Sequence, residues 1–227
     1  MNRSLSRFIV PTLVAVAVMG GCSGASRAPM QTAAASPASG QVFLSPAERA
    51  KADSGRPPYT AADVYFMSGM IGHHAQAVLM AGWAPSHGAS QSVRILCERI
   101  VVGQRDEITF MQRWLRDRRE TVPDADATHD MMPGMDHSKL MPGMLTADEL
   151  TALDRARGTE FDRLFLGYMI KHHQGALTMV DQLFGSNGAG QDDAIFKFAS
   201  DVSADQSTEI ERMGLMLSAL PTDRKTP

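Results

Sequence analysis

The chain has 227 residues, 44% of them hydrophobic, which is enough to bury a core as one domain or two small halves and excludes a chain that is disordered throughout. The formal charge is -3; without Arg3 and Arg7, which lie in a segment expected to be removed, 20 basic residues face 25 acidic ones, and nothing in that balance favours nucleic acid as a partner. Aromatic residues make up only 6%, whereas methionine occurs 16 times, a bias that needs a physical reason.

At the N-terminus, Arg3 and Arg7 precede an apolar run from Phe8 to Met19 and the small residues Gly20 to Cys22, the pattern of a secretory signal over residues 1–21. "MGGC" resembles a bacterial lipoprotein cleavage box, in which Cys22 becomes the first mature residue and carries lipid. The alternatives are a plain signal peptide or a single membrane anchor, although the apolar run is short for a spanning helix. Ser23 after the cysteine resembles an outer-membrane address in a Gram-negative host. The expected location is therefore the cell envelope, on the periplasmic side of the outer membrane if the host is Gram-negative, with the membrane as partner through the lipid. Residues 22–42, rich in Ser, Ala, Gly and Pro, read as a flexible tether. Cys97 is then left without a partner cysteine, and its apolar-periodic surroundings predict a buried, unreactive thiol rather than a metal ligand.

Helix signals dominate the remainder. "SPAE" at Ser45 to Glu48 carries a capping serine, a first-turn proline and a glutamate three residues after the cap, predicting a short helix. "TAAD" at Thr60 to Asp63 opens a helix to about Gly82, and Ser90 caps another to about Arg119. The second half repeats the plan. "TADE" at Thr146 to Glu149 starts a short helix, "TEFD" at Thr159 to Asp162 opens a long one that ends near Gly185, and a last helix runs from about Asp192 to Leu220. An offset of 99 pairs Asp63 with Asp162, Phe66 with Phe165, Met70 with Met169, His73 and His74 with His172 and His173, and Met80 with Met179. An offset of 102 pairs "QRDEITFM" at Gln104 with "QSTEIERM" at Gln206. This is a tandem repeat of a helical hairpin. The expected organisation is a duplicated domain over 43–220, with repeat 1 at 43–120, a linker at 121–144, repeat 2 at 145–220 and a tail at 221–227. The fold class is all-α: a four-helix bundle from two tandem hairpins, each preceded by a short helix.

Within each repeat, helical spacing places Met70, His73, Ala77 and Met80 on one face, and Met169, His172, Ala176 and Met179 likewise. His74 and His173 point about 100° away, toward a different helix or a flank of the bundle. On the partner helices Gln104, Glu107 and Met111 share a face, as do Gln206, Glu209 and Met213. Asp63 and Asp162 read as capping residues that complement the helix dipole. His87, alone in a loop, reads as a surface residue.

A "MIxHHxxAxxM" helix followed by a "QxxEIxxM" helix resembles the bacterial domain of unknown function 305 family, over Phe43 to Leu220 and in two copies. The copies differ just outside the motif, with Gln76 facing Gly175 and Gly72 facing Lys171 in the alignment. The resemblance implies a ferritin-like bundle, frequent export and a link to copper or other metals. It implies no reaction.

The donor set can be weighed by its own chemistry. Imidazole binds zinc, copper, nickel and iron, thioethers favour Cu(I), and carboxylates favour harder ions. Histidine beside methionine therefore points to copper at His73, His74, His172 and His173, with Met70, Met80, Met169, Met179, Glu107 and Glu209 as companions. The competing reading is ordinary methionine core with histidines as satisfied polar groups. A di-iron centre is discounted because the chain contains no Glu-x-x-His element and is poor in carboxylates there. The linker stretch Thr128 to Met144 supplies His129, Met131, Met132, Met135, His137, Met141 and Met144 around two "MPGM" turns, and reads as an exposed loop suited to soft ions. No nucleophile elbow, phosphate loop or zincin motif is present, so no catalytic residue is assigned. The function expected is Cu(I) sequestration or delivery to a copper-handling partner. Alternatives are a structural module of the envelope and a cuprous oxidase. Imidazole ligation is expected to weaken below the ordinary histidine pKa of about 6.5.

Overall fold

The computed structural model describes residues 54–55, 58–125 and 140–221, all within one unit spanning 52–227. Signal, tether, the first short helix and the linker from 126 to 139 lie outside the described residues. Five helices follow in chain order: α1 (Ala61–Gly82), α2 (Gln91–Asp117), α3 (Ala147–Arg155), α4 (Thr159–Gly185) and α5 (Asp193–Ala219). No strand occurs among the described residues.

The caps explain where the helices begin. Thr60 and Asp63 form the reciprocal capping box of α1, and Thr146 with Glu149 forms that of α3. The hydroxyl of Ser90 accepts from the Val93 amide to start α2. The start of α4 differs from the expectation set by "TEFD". Its cap is Gly158, at φ 59°, and no side chain caps the helix. The glycine is needed there because that backbone region penalises a Cβ, and its amide donates to the His87 carbonyl at 2.8 Å.

Asp162 is thereby free for another task. Its carboxylate accepts the Ser90 amide, at 3.2 Å to each oxygen, in the turn between α1 and α2. Reciprocally, Asp63 Oδ1 accepts the Gly190 amide at 2.7 Å in the turn between α4 and α5, while Oδ2 serves its own cap. The two aspartates thus fasten each hairpin to the turn of the other, a role beyond capping.

Hairpin α1–α2 and hairpin α4–α5 meet mainly through α1 against α4. The apolar interior is split into two clusters. One combines Met67, Met70 and Ile71 with Met111, Met179, Val180 and Phe198. The other combines Met80 and Ala81 with Leu96, Ile100, Phe165, Met169 and Met213. Early α1 shares a cluster with late α4, and late α1 with early α4, so the two helices run antiparallel. Between the clusters lies a polar layer in which His73, His74, Gln76, Gln104, His172, His173 and Gln206 are all buried.

Candidate metal centre

The polar layer gathers the duplicated histidines. All four are fully buried, and the rings of His73 and His172 approach to 3.8 Å between centroids, tilted by 39°. Their neighbours turn outward along each hairpin: His74 Nε2 lies 2.8 Å from Glu107 Oε2 on α2, and His173 Nε2 lies 2.7 Å from Glu209 Oε2 on α5. The 100° step between successive residues thus sends one histidine to the α1–α4 contact and the next to the hairpin partner. Nδ1 of each of the four rings is buried without a hydrogen-bond partner, and so are His172 Nε2 and His74 Nε2, the latter close to Glu107 but not aligned for a hydrogen bond, unlike His173 Nε2 with Glu209. Buried polar atoms are rarely left so, and each asks for an explanation.

Burial is the main reason that His73 is held near a pKa of about 3, with the neighbouring His74 adding to the effect. His172 is lowered well below 6.5 by the same burial, then by His73, His173 and His74. Both rings are neutral in ordinary buffers. His73 Nε2 lies 2.9 Å from the Pro142 carbonyl, which can only accept, so Nε2 carries the proton and the Nδ1 lone pair is free. Protonation therefore competes with imidazole ligation at these two positions at a lower pH than the 6.5 expected for free histidine. The shift also sets a stability profile for the metal-free protein. The unfolded chain takes up protons below 6.5 while folded His73 stays neutral until about pH 3, so stability should fall as pH drops through that window. The expected slope is about 1.4 kcal/mol per pH unit from each of His73 and His172. Urea unfolding between pH 7 and pH 5 measures it, and a flat profile would contradict the burial.

The methionines take two kinds of place. Met70, Met80 and Met169 are fully buried and Met179 nearly so, in the apolar clusters on either side of the layer. Met141 reaches over Gly69, a position that the Met179 methyl also approaches, and its sulfur accepts from the Tyr65 hydroxyl at 3.5 Å. Met144 is buried. The expectation of an exposed loop thus fails at its C-terminal end: Met141 and Met144 pack against the bundle. Tight turns mark chain reversals, but their residues say nothing of the surface that the turn will cover. The remaining members, His129, Met131, Met132, Met135 and His137, lie outside the described residues, as does Cys22.

The docked turn also accounts for the differences between the repeats. Gln76 donates to the Leu145 carbonyl at 3.1 Å and accepts the Leu145 amide at 2.7 Å. Its counterpart Gly175 bears no side chain because the backbone of Pro142 and Gly143 lies directly on α4 there; a Cβ would collide with the Pro142 carbonyl. Lys171, the counterpart of Gly72, is bound by Glu149 of α3 at 2.7 and 2.8 Å. Deletion through Met144 would remove this cover, so the linker is not dispensable up to that residue.

His87 is a second correction. It is buried, with Nε2 2.8 Å from the Asp154 carbonyl, and its ring stacks on Trp83 and leans on Phe161. Cys97 is buried and its thiol is pushed up to about 12 by burial and the nearby Asp162, so it is protonated and inert. Among the described residues no three His, Cys, Asp or Glu side chains are drawn close enough to grip one metal ion, and no helix is long and apolar enough to cross a membrane. The imidazoles therefore stand as pairs, His73 with His172 and each flanking histidine with its glutamate.

Similar folds are known among solved structures. A DUF305 fragment from Deinococcus radiodurans is 27% identical, covers 72% of this chain and all of its own, and superposes with a TM-score of 0.61. A DUF305 protein from Streptomyces coelicolor, named as secreted, is 26% identical over 69% of this chain and 92% of its own, with a TM-score of 0.58. CopM in its Cu(II)-bound form is 28% identical over 69% of this chain and 95% of its own, with a TM-score of 0.55. CopM structures with Cu(I) and with silver are similar too. No curated protein sequence matches. Residues 63–217, which hold both histidine helices and both glutamate helices, match the domain of unknown function (DUF305), and the chain belongs to that family.

Proposed function

We propose that the protein is an exported, lipid-anchored copper binder that sequesters Cu(I) or passes it on, without turnover of its own. One observation carries this reading: a layer of four buried imidazoles in which Nδ1 of every ring lacks a partner, two of the rings being neutral and 3.8 Å apart. The donor chemistry fits. A pair of neutral imidazoles with thioethers nearby suits an ion of low coordination number and soft character, as Cu(I) is, better than one that demands four or six ligands. Support also comes from CopM, a structural relative known in forms bound to Cu(I), Cu(II) and silver. Export and anchoring rest on the pattern of residues 1–22 and on the relative named as secreted. Met131, Met132 and Met135, with His129 and His137, would gather soft ions.

Calorimetry and metal analysis with Cu(I), Cu(II) and Zn(II) test the proposal. Cu(I) should bind most tightly, and a protein that takes up none of the three would end it. A structural reading is favoured by the His173–Glu209 hydrogen bond and the close His74–Glu107 approach, which link α4 to α5 and α1 to α2. Joint replacement of His73, His74, His172 and His173 separates the two. Lost uptake in a folded bundle supports the binder, and unfolding in metal-free buffer supports the structural role.

A further inference from the structure

Between α2 and α5, on the side of the bundle where neither helix faces its own hairpin partner, lies an open cleft of about 240 Å³. Gln104 and Glu107 line one wall and Gln206 and Glu209, their repeat counterparts, the other; Asp205 and Arg99 complete the charged lining. Three carboxylates thus face one guanidinium. Glu107 and Glu209 are each about one quarter exposed, so they connect solvent to the fully buried His74 and His173. Each carboxylate offers about four lone-pair positions, and the imidazole uses one.

A second observation goes beyond acidity. Gln104 and Gln206 are more than nine-tenths buried, and the amide oxygen of each has no hydrogen-bond partner. An unpaired buried carbonyl costs about 1–3 kcal/mol. Two such oxygens, related by the repeat, belong to residues that line one cleft beside two carboxylates, and lie just beneath its surface as acceptors without a partner. Every donor there is oxygen, which suits a hydrated, hard or borderline divalent ion and not a soft monovalent one.

We propose that the α2–α5 cleft is a receiving site for divalent metal cations, held by Glu107 and Glu209 and drawn inward by the unpaired amide oxygens of Gln104 and Gln206 before they reach the histidine layer. The passage inward rests on the copper reading; the cation site itself does not. Low-dielectric walls around like charges focus the field and raise the capture rate. The imidazoles of His74 and His173, directly behind the two glutamates, are the nitrogen donors that an ion held there meets next.

Two measurements on the full chain test this. Mn(II), which prefers oxygen ligands, should broaden amide NMR signals of residues 103–107 and 205–209 first, leaving those around Met80 and Met169 sharp. Uniform broadening, or none, overturns the cation site. In stopped-flow mixing with Cu(II), Glu107→Gln with Glu209→Gln should slow uptake about tenfold at low ionic strength and flatten its salt dependence. Glutamine still accepts the imidazole proton, so the bundle should stay folded, and Asp148→Asn with Asp181→Asn controls for net charge. If both double variants load at the wild-type rate, the port is wrong while the copper reading stands. If the wild type loads no Cu(II) but Mn(II) broadening is localised, the cation site stands and the passage inward falls. Should the glutamine variant fail to fold, the manganese result on the wild type decides.

Discussion

Asp63→Ala should lower the unfolding free energy by about 2–4 kcal/mol. Two costs combine. Removing the capping box at α1 costs about 1 kcal/mol, and the buried Gly190 amide, left without its 2.7 Å acceptor, adds about 1–3 kcal/mol. Asp63→Asn keeps an oxygen for one of these bonds and should cost about half as much. Asp162→Ala should cost only about 1 kcal/mol, because its bonds to the Ser90 amide are longer, at 3.2 Å, and no helix cap is lost. Denaturant unfolding of the three variants measures the order. Equal losses at Asp63 and Asp162 would show that the reciprocal fastening is not what makes Asp63 valuable.

His172→Leu should do the opposite to stability and the greater harm to binding. Neither ring nitrogen of His172 has a hydrogen-bond partner, so leucine removes an unsatisfied buried polar group at similar volume and should stabilise the metal-free bundle by about 1–2 kcal/mol. His73→Leu should gain less, because the Pro142 carbonyl then loses its donor. Each replacement should weaken Cu(I) binding by about tenfold or more. Stability bought at the expense of uptake is the signature of residues kept for function. Thermal unfolding paired with competitive Cu(I) titration tests it; a destabilised His172→Leu with unaltered affinity would make the layer structural.

Much of the fold was legible because its signals are local. Thr60, Ser90 and Thr146 announce helix starts through chemistry that acts within three residues, and the observed starts agree. The duplication was legible because offsets of 99 and 102 preserve whole helix faces. Where the reading failed, the deciding contact lay far along the chain. Gly158 caps α4 because its amide meets His87, 71 positions earlier, and His87 is buried because α3 and α4 close over it. The Pro142–Gly143 turn docks on α4, and its one trace in the sequence was the mismatch of Gln76 with Gly175. At the site, periodicity identified which histidines share a face. Which nitrogen is engaged depends on the crossing of α1 and α4 and on a backbone carbonyl, neither of which is written in residue spacing.

The docked turn has a consequence for an ion arriving at the layer. Two hairpins related by a twofold axis would present His73 and His172 as equals, yet the Pro142–Gly143 turn exists once and docks on α4. His73 has its tautomer fixed by the Pro142 carbonyl and offers a single lone pair; His172, with neither nitrogen engaged, can offer either. Degeneracy is thus broken by topology alone: a chain that joins two copies of a unit end to end must distinguish them, so under the proposed copper binding the two rings would fill in sequence and not at random.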